Sequence, residues 1–196
     1  MPEPLVISKA KTAVLCMDCQ NDIVKNYPSA TEGGMLKKTS AVLEAARKAG
    51  IPVVYVVARF REGYPEVSPR NTSFSGIKKA GILREGTPGG EIHADVAPRP
   101  GDVIVTKRRV SAFATTDMSA VLNGRGAETI VLTGIATSGV VLSTVRYAAD
   151  ADYSIVVLSD CCADRDPEVH RVLLEKVFPR QATVTTSDEF IKAVRS

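Results

Sequence analysis

Thr129-Ile-Val-Leu-Thr-Gly-Ile-Ala-Thr-Ser-Gly-Val140 is the stretch whose reading decides the fold. Thr129 to Leu132 is an apolar, β-branched run of strand length. Gly134 to Val140 carries two glycines and reads as a tight turn, and Val141, Leu142, Val145, Ala148 and Ala149 follow at helical spacing. The segment is therefore a strand, a turn and a helix. Such a helix start offers free backbone N–H groups and the positive end of a helix dipole, a place for a developing oxyanion or an anionic substrate.

The same alternation extends in both directions. Thr12–Met17, Val53–Ala58, Val103–Thr106, Ile155–Leu158 and Thr183–Thr185 are further apolar runs, mostly continuous, as expected for strands covered on both faces of a parallel sheet. Helical patterns occupy Met35–Ala49, Ser119–Arg125, Val140–Ala151, Pro167–Lys176 and Ser187–Val194, the last with Ser187 as its expected N-cap. Gly50 and Gly126 stand where helices should end. The pattern predicts a three-layer α/β/α, Rossmann-like fold with a central, mostly parallel sheet of about six strands. A length of 196 residues suits a single domain spanning 1–196. Residues 59–101 break the rhythm, with dense proline and glycine and at most short helices, one around Ile77–Ala80. Irregular excursions of that length tend to be functional, so this one is expected to cover the active site or to mediate subunit contacts.

Bulk composition excludes several classes. Hydrophobic content of 44% and charged content of 24% are those of an ordinary globular chain. A net charge of +3 is too small to imply a nucleic-acid partner, in spite of the local Lys107-Arg108-Arg109 cluster. No apolar run approaches the ~20 residues of a membrane span and no signal peptide opens the chain, so no membrane association and a cytoplasmic location are expected. The cysteines fall in two pairs, Cys16 with Cys19 and Cys161 with Cys162. A redox motif or half a zinc site is one reading of Cys16-x-x-Cys19; free, buried thiols in a reducing compartment are the better one.

Ligands of an open parallel sheet bind beyond the carboxyl ends of its strands, and three motifs lie at such ends. Asp18-x-Gln20-Asn21-Asp22-Ile23 follows the first strand. The third runs into Thr106-Lys107 and leads to Ser111-Ala112-Phe113 and Thr116. Gly134 to Val140 follows the fourth, with Ser143-Thr144 behind it and Asp160-Cys-Cys-Ala-Asp164 after the fifth. In this order, from Thr12 to Val184, the motifs resemble those of the isochorismatase-like hydrolase superfamily. That resemblance implies an Asp-Lys-Cys triad acting on amides and related bonds. Asp18 would be the general acid/base, Lys107 its cationic neighbour, and Val140 the occupant of the nucleophile position. It also implies a cis peptide at Ile135–Ala136, an oxyanion hole from the amides of Ala136 and Val140, and a homo-oligomer. Asn21 and Asp22 are expected to shape the loop rather than to react.

Valine cannot attack a carbonyl or carry a proton. Thr137 and Ser138 do not match the nucleophile's place, and strand alternation should turn Cys19 away from the side of Asp18. The resemblance supplies a precedent: isochorismatases proper lack the cysteine and cleave a vinyl ether with the aspartate as acid, although Ala136-Thr137-Ser138-Gly139-Val140 is closer to the amidase-like branch. Nicotinamidases of the superfamily carry an Asp-x-His metal site, where this chain has Ala58-Arg59-Phe60-Arg61. With only His93 and His170, and neither in a paired spacing, no metal and no cofactor are expected. The sequence therefore reads as a hydrolase of a small anionic metabolite using Asp18 without a cysteine nucleophile. Arg59, Arg61 and Arg108 are candidate carboxylate contacts, and Phe113, Thr137 and Ser138 further substrate contacts. The rival reading is a catalytically silent relative that binds a ligand or partner in the inherited pocket.

Overall fold

Continuous apolar strands pair best where both faces are covered, and all six runs enter one sheet. A computed structural model describes residues 5–195. Its strands are β1 (Thr12–Met17), β2 (Val53–Ala58), β3 (Val103–Lys107), β4 (Thr129–Ile135), β5 (Ser154–Ala163) and β6 (Thr183–Thr185), in the order β3-β2-β1-β4-β5-β6. Every pairing is parallel. Strand order reverses between β1 and β4, which opens a crevice at the carboxyl ends of those two strands.

The helices are α1 (Asn21–Val24), α2 (Pro28–Thr31), α3 (Met35–Lys48), α4 (Thr72–Ala80), α5 (Met118–Gly124), α6 (Leu142–Asp150), α7 (Pro167–Val172) and α8 (Ser187–Arg195). Alternate strand residues feed opposite faces. Val14, Cys16, Val53, Tyr55, Val131 and Val156 pack with Val42, Leu43 and Ala46 of α3 and Phe190 and Val194 of α8. Ala13, Leu15, Met17, Val54, Val56 and Leu132 pack with Leu122 of α5, Val145 and Ala148 of α6 and Phe178. Three layers result, as the sequence predicts.

Several local features depart from the sequence reading. β5 runs to Ala163, well past Leu158, because a register irregularity between Leu132 and Gly134 lets Gly134 and Ile135 pair with Cys162 and Ala163. The residues before α6, Thr137–Val141, form a π-turn in which Ala136 C=O accepts from the amides of Gly139 (3.0 Å) and Val141 (3.3 Å). Ser187 is not a capping acceptor: its amide and hydroxyl donate to Asp160, and Thr186 Oγ1 accepts the Glu189 amide at 3.3 Å instead.

The excursion is more ordered than its composition suggests. α4 spans nine residues, capped by Asn71, whose side chain accepts the Phe74 amide, and closed by Gly81 at φ 67°. Phe60, Tyr64, Val67, Phe74 and Leu83 form a third, separate apolar cluster. Residues 59–101 thus build a small core of their own over the carboxyl end of β2.

Candidate active site

The ends of β1, β3 and β4 and the excursion enclose one cavity of about 550 Å³. Its floor is polar and buried. The ammonium of Lys107, at the end of β3, lies 2.8 Å from Asp18 Oδ2, with side chains 3% and 8% exposed. Lys107 also donates to Arg109 C=O at 3.1 Å. Asp18 sits immediately after β1 at φ 57°, a left-handed conformation that aspartate tolerates better than most residues. Its Oδ1 is buried without a hydrogen-bond partner. Burial raises the Asp18 carboxyl above its ordinary value; the charge and hydrogen bond of Lys107, with a smaller contribution from the Ala58 amide, oppose the rise without cancelling it.

The wall facing this pair comes from the turn after β4. The Ile135–Ala136 peptide is cis, as expected. Ile135, Ala136, Ser138, Gly139 and Val140 line the cavity, with Ser143 one turn into the helix. Gly134 must be glycine, because β1 and β4 approach so closely here that an ideal Cβ would lie 2.2 Å from Met17 C=O. Just beyond β5, Asp164 Oδ2 accepts the Ser138 amide at 2.7 Å, and from α7 His170 Nδ1 lies 2.8 Å from Thr137 Oγ1. Burial lowers the His170 imidazole below its usual value against the pull of Asp164.

The residues following Asp18 serve as a bracket. Gln20 reads the backbone of Ala58 like an added strand, accepting its amide at 2.7 Å and donating to its carbonyl at 2.9 Å, and reaches Gly90 C=O at 2.7 Å. Asn21 donates to Pro88 C=O at 2.8 Å, while Asp22 Oδ2 accepts the Leu83 amide at 2.9 Å. Burial favours the protonated form of Asp22, but the Leu83 amide and Lys25 outweigh it and hold this carboxyl below the usual range. Asn21 and Asp22 therefore tie the excursion down over Asp18.

Comparison with known proteins agrees with this geometry. The family model described as the isochorismatase domain matches residues 12–189. The chain belongs to the isochorismatase family. Ureidoacrylate amidohydrolase of Rhizobium rhizogenes is 30% identical over 96% of this chain and 81% of its own length. A cysteine hydrolase from Pseudomonas syringae superposes with a TM-score of 0.88 at 27% identity, covering 100% of this chain and 99% of that one. N-carbamoylsarcosine amidase from Thermoplasma acidophilum gives 0.76 at 27% identity, over 91% and 97%.

Within this family member, Asp18, Lys107, Ala136, Val140 and Ser138 meet at the cavity, and other expected contacts do not. Arg59 is pinned to Gly90 C=O (3.1 Å) and Glu91 (2.8 Å); Arg61 pairs with Glu66, and Arg108 with Glu66 and Glu85. Each faces a carboxylate of the excursion, so none lines the cavity. Phe113 is buried in the second core, stacked on Tyr147 at 4.5 Å, and its motif docks on α6 through the Ala112 amide and Thr144 Oγ1 at 3.2 Å. Thr137 is buried against His170 rather than facing the cavity. Residues the sequence reading overlooked take these places. Arg165 lines the cavity with its guanidinium 5.2 Å above the Tyr27 ring. Phe74, Ile77, Ile82 and Leu83 of the excursion supply an apolar wall. Arg165 was discoverable, since it directly follows the Asp160–Asp164 motif.

No cysteine lines the cavity among the described residues. Cys19 is 2% exposed and packs in the first core with Cys16 and Cys161, whereas Val140 belongs to the second. A thiol–thiol contact with Cys16, together with burial, pushes Cys19 well above its ordinary value; burial pushes Cys162 up to about 12. Among the described residues, no group of three or more His, Cys, Asp or Glu side chains is placed to hold a metal ion. No described helix is long and apolar enough to cross a membrane.

Proposed function

We propose that this isochorismatase-family hydrolase cleaves a small-molecule acyl compound by direct attack of water, with Asp18 as general acid/base and no protein nucleophile. The observation that carries this reading is the buried Asp18–Lys107 pair facing Val140 in a cavity whose described lining holds no thiol. Asp18 Oδ1, which lacks a protein partner, is the free oxygen that takes a proton from water, while Lys107 holds Oδ2. A carboxylate whose proton affinity is raised by burial is a better base than one in water. Water oxygen bonds to the acyl carbon, and the carbonyl electron pair moves onto oxygen, where the amides of Ala136 and Val140 stabilise it. The pair then returns, the acyl–leaving-group bond breaks, and Asp18 hands its proton to the departing atom. The two amidases among the relatives support a C–N bond as the one cleaved.

An unbiased metabolite screen of the wild type against Asp18→Asn tests the reading. Turnover of the identified substrate should fall by about 10²–10⁴-fold in the variant. A chain inert towards esters, amides, ureides and enol ethers, yet binding a ligand in this cavity, would establish the silent-relative reading instead. The same proposal places the chain in a reducing cytoplasm without a nucleic-acid partner, supported by four free buried thiols and a charge of +3. A homo-oligomer is supported by Ile104, 43% exposed on the edge strand β3.

A further inference from the structure

We propose that the cavity selects a monoanionic carboxylate bearing a branched or aromatic apolar arm, with Arg165 as the anchor of the carboxylate and α4 with its following loop as the seat of the arm. This rests on the hydrolase reading only in placing the scissile bond beside Asp18. The charge balance around the cavity makes the first part of the case. Lys107 is neutralised by Asp18, and Asp22 by Lys25. Arg59, Arg61 and Arg108 each meet a glutamate. Arg165 has no carboxylate within ion-pair distance among the described residues; its neighbour Asp164 is taken up by the amides of Ser138 (2.7 Å) and Arg165 itself (2.8 Å). Arg165 is exposed yet braced against Tyr27, whose ring lies 5.2 Å from its guanidinium carbon and whose phenol is the polar group it meets, so its planar donor fork has no carboxylate partner and suits a two-oxygen anion. One guanidinium at the cavity that meets no carboxylate of the protein is matched to a ligand that brings one.

The second part concerns shape. Opposite the polar floor, Phe74, Ile77, Ile82 and Leu83 line the cavity with branched and aromatic carbon, and Ile77 and Ile82 remain only half-buried. Half-buried isoleucines on a cavity wall gain from an apolar ligand group that covers them. Gln20 and Asn21 donate to the excursion's backbone and Asp22 accepts from it, which holds this wall in place. An acetate-sized ligand would leave it uncovered.

Calorimetric titration with sodium 4-methylpentanoate, its neutral amide and sodium acetate tests both parts at equilibrium. The wild type should bind the branched acid at least about tenfold more tightly than either control, since a charge-assisted pair and a buried isobutyl group are each worth that much. Arg165→Gln should remove the preference for acid over amide without changing affinity for the amide, and Arg165→Lys should retain part of it. Ile77→Ser should weaken the acid and the amide alike and leave acetate unaffected. Equal binding of acid and amide, an acid preference that survives Arg165→Gln, indifference to Ile77→Ser, or no binding of the branched acid at millimolar concentration would each overturn the inference. Turnover is not read, so the two proposals fail separately. A carboxylate preference intact beside an Asp18→Asn variant of full activity sinks the mechanism alone, and the converse sinks this inference alone.

Discussion

Asp18 carries opposing demands in one side chain: a left-handed backbone, a buried charge and a free oxygen. Asparagine accepts φ 57° as readily and still offers Lys107 an oxygen, so Asp18→Asn should fold while losing proton transfer. If Asp18 must be ionised to activate water, kcat/KM should fall as pH drops through a value above the ordinary aspartate's 3.8. A pH–rate profile checks this; an acid limb at or below 3.8, or a loss of activity on the alkaline side alone, contradicts it. The stability consequence has the opposite sense. A carboxyl whose folded value is raised contributes stability that is present below its unfolded value and lost as pH rises through the folded one. Removing both charges, as Asp18→Asn with Lys107→Met, should therefore leave the protein as stable as the wild type or more so at neutral pH. Well-packed replacements for buried pairs gain up to about 1–4 kcal/mol. The gain over the wild type should shrink towards pH 3.8. Denaturant midpoints across pH measure it, and a marked loss of stability at neutral pH would show that the ion pair holds the fold together.

The Asp18-to-Asp22 segment shows how much can depend on one short element. Gln20→Ala removes three hydrogen bonds to the backbone of Ala58 and Gly90, and should cost about 3 kcal/mol at roughly 1 kcal/mol each. Gly89→Ala should be at least as harmful, because an ideal Cβ would sit 2.1 Å from Asp22 Oδ2 and the excursion cannot then close. Urea denaturation reads both; near-wild-type stability in Gly89→Ala would mean the bracket yields. This element also marks the limit of what the sequence made legible. β-Branched runs specify strands locally, and Thr12–Met17, Val53–Ala58 and Thr183–Thr185 are recovered residue for residue. Of α4 only the end, Ile77–Ala80, is legible, because Thr72, Ser73, Ser75 and Gly76 are poor helix formers, and the warrant for the first half lies in the cap Asn71. Asp18, Lys107 and the Ile135–Val140 turn, read from motif order, line one cavity, whereas Arg59, Arg108 and Phe113 lie off it. Which arginine stays unpaired depends on glutamates from 5 to 42 residues away, such as Glu66, Glu85 and Glu91, and no local pattern encodes that.

At the scale of the whole molecule, the parallel sheet puts three of the four thiols on the face opposite Val140. Cys16, Cys19 and Cys161 lie in one core layer, while Val140 and Cys162 lie in the other, and none of the four thiols is more than 5% exposed. Buried thiols are slow nucleophiles, the more so where the value is raised, as at Cys19, Cys161 and Cys162, so brief alkylation of the native protein should leave activity intact, and all four should react once it is unfolded. Rapid inactivation by the reagent, traced to Cys19, would mean that the sheet does not shield it. The central claim, that water and not a side chain attacks, is tested most directly by intact-mass spectrometry of the enzyme acid-quenched during turnover of the substrate found by the screen. The account predicts the unmodified chain at every time point, since no acyl group is ever transferred to the protein. An adduct of the acyl mass that appears before product and maps to Cys19, Ser138 or Ser143 would contradict it.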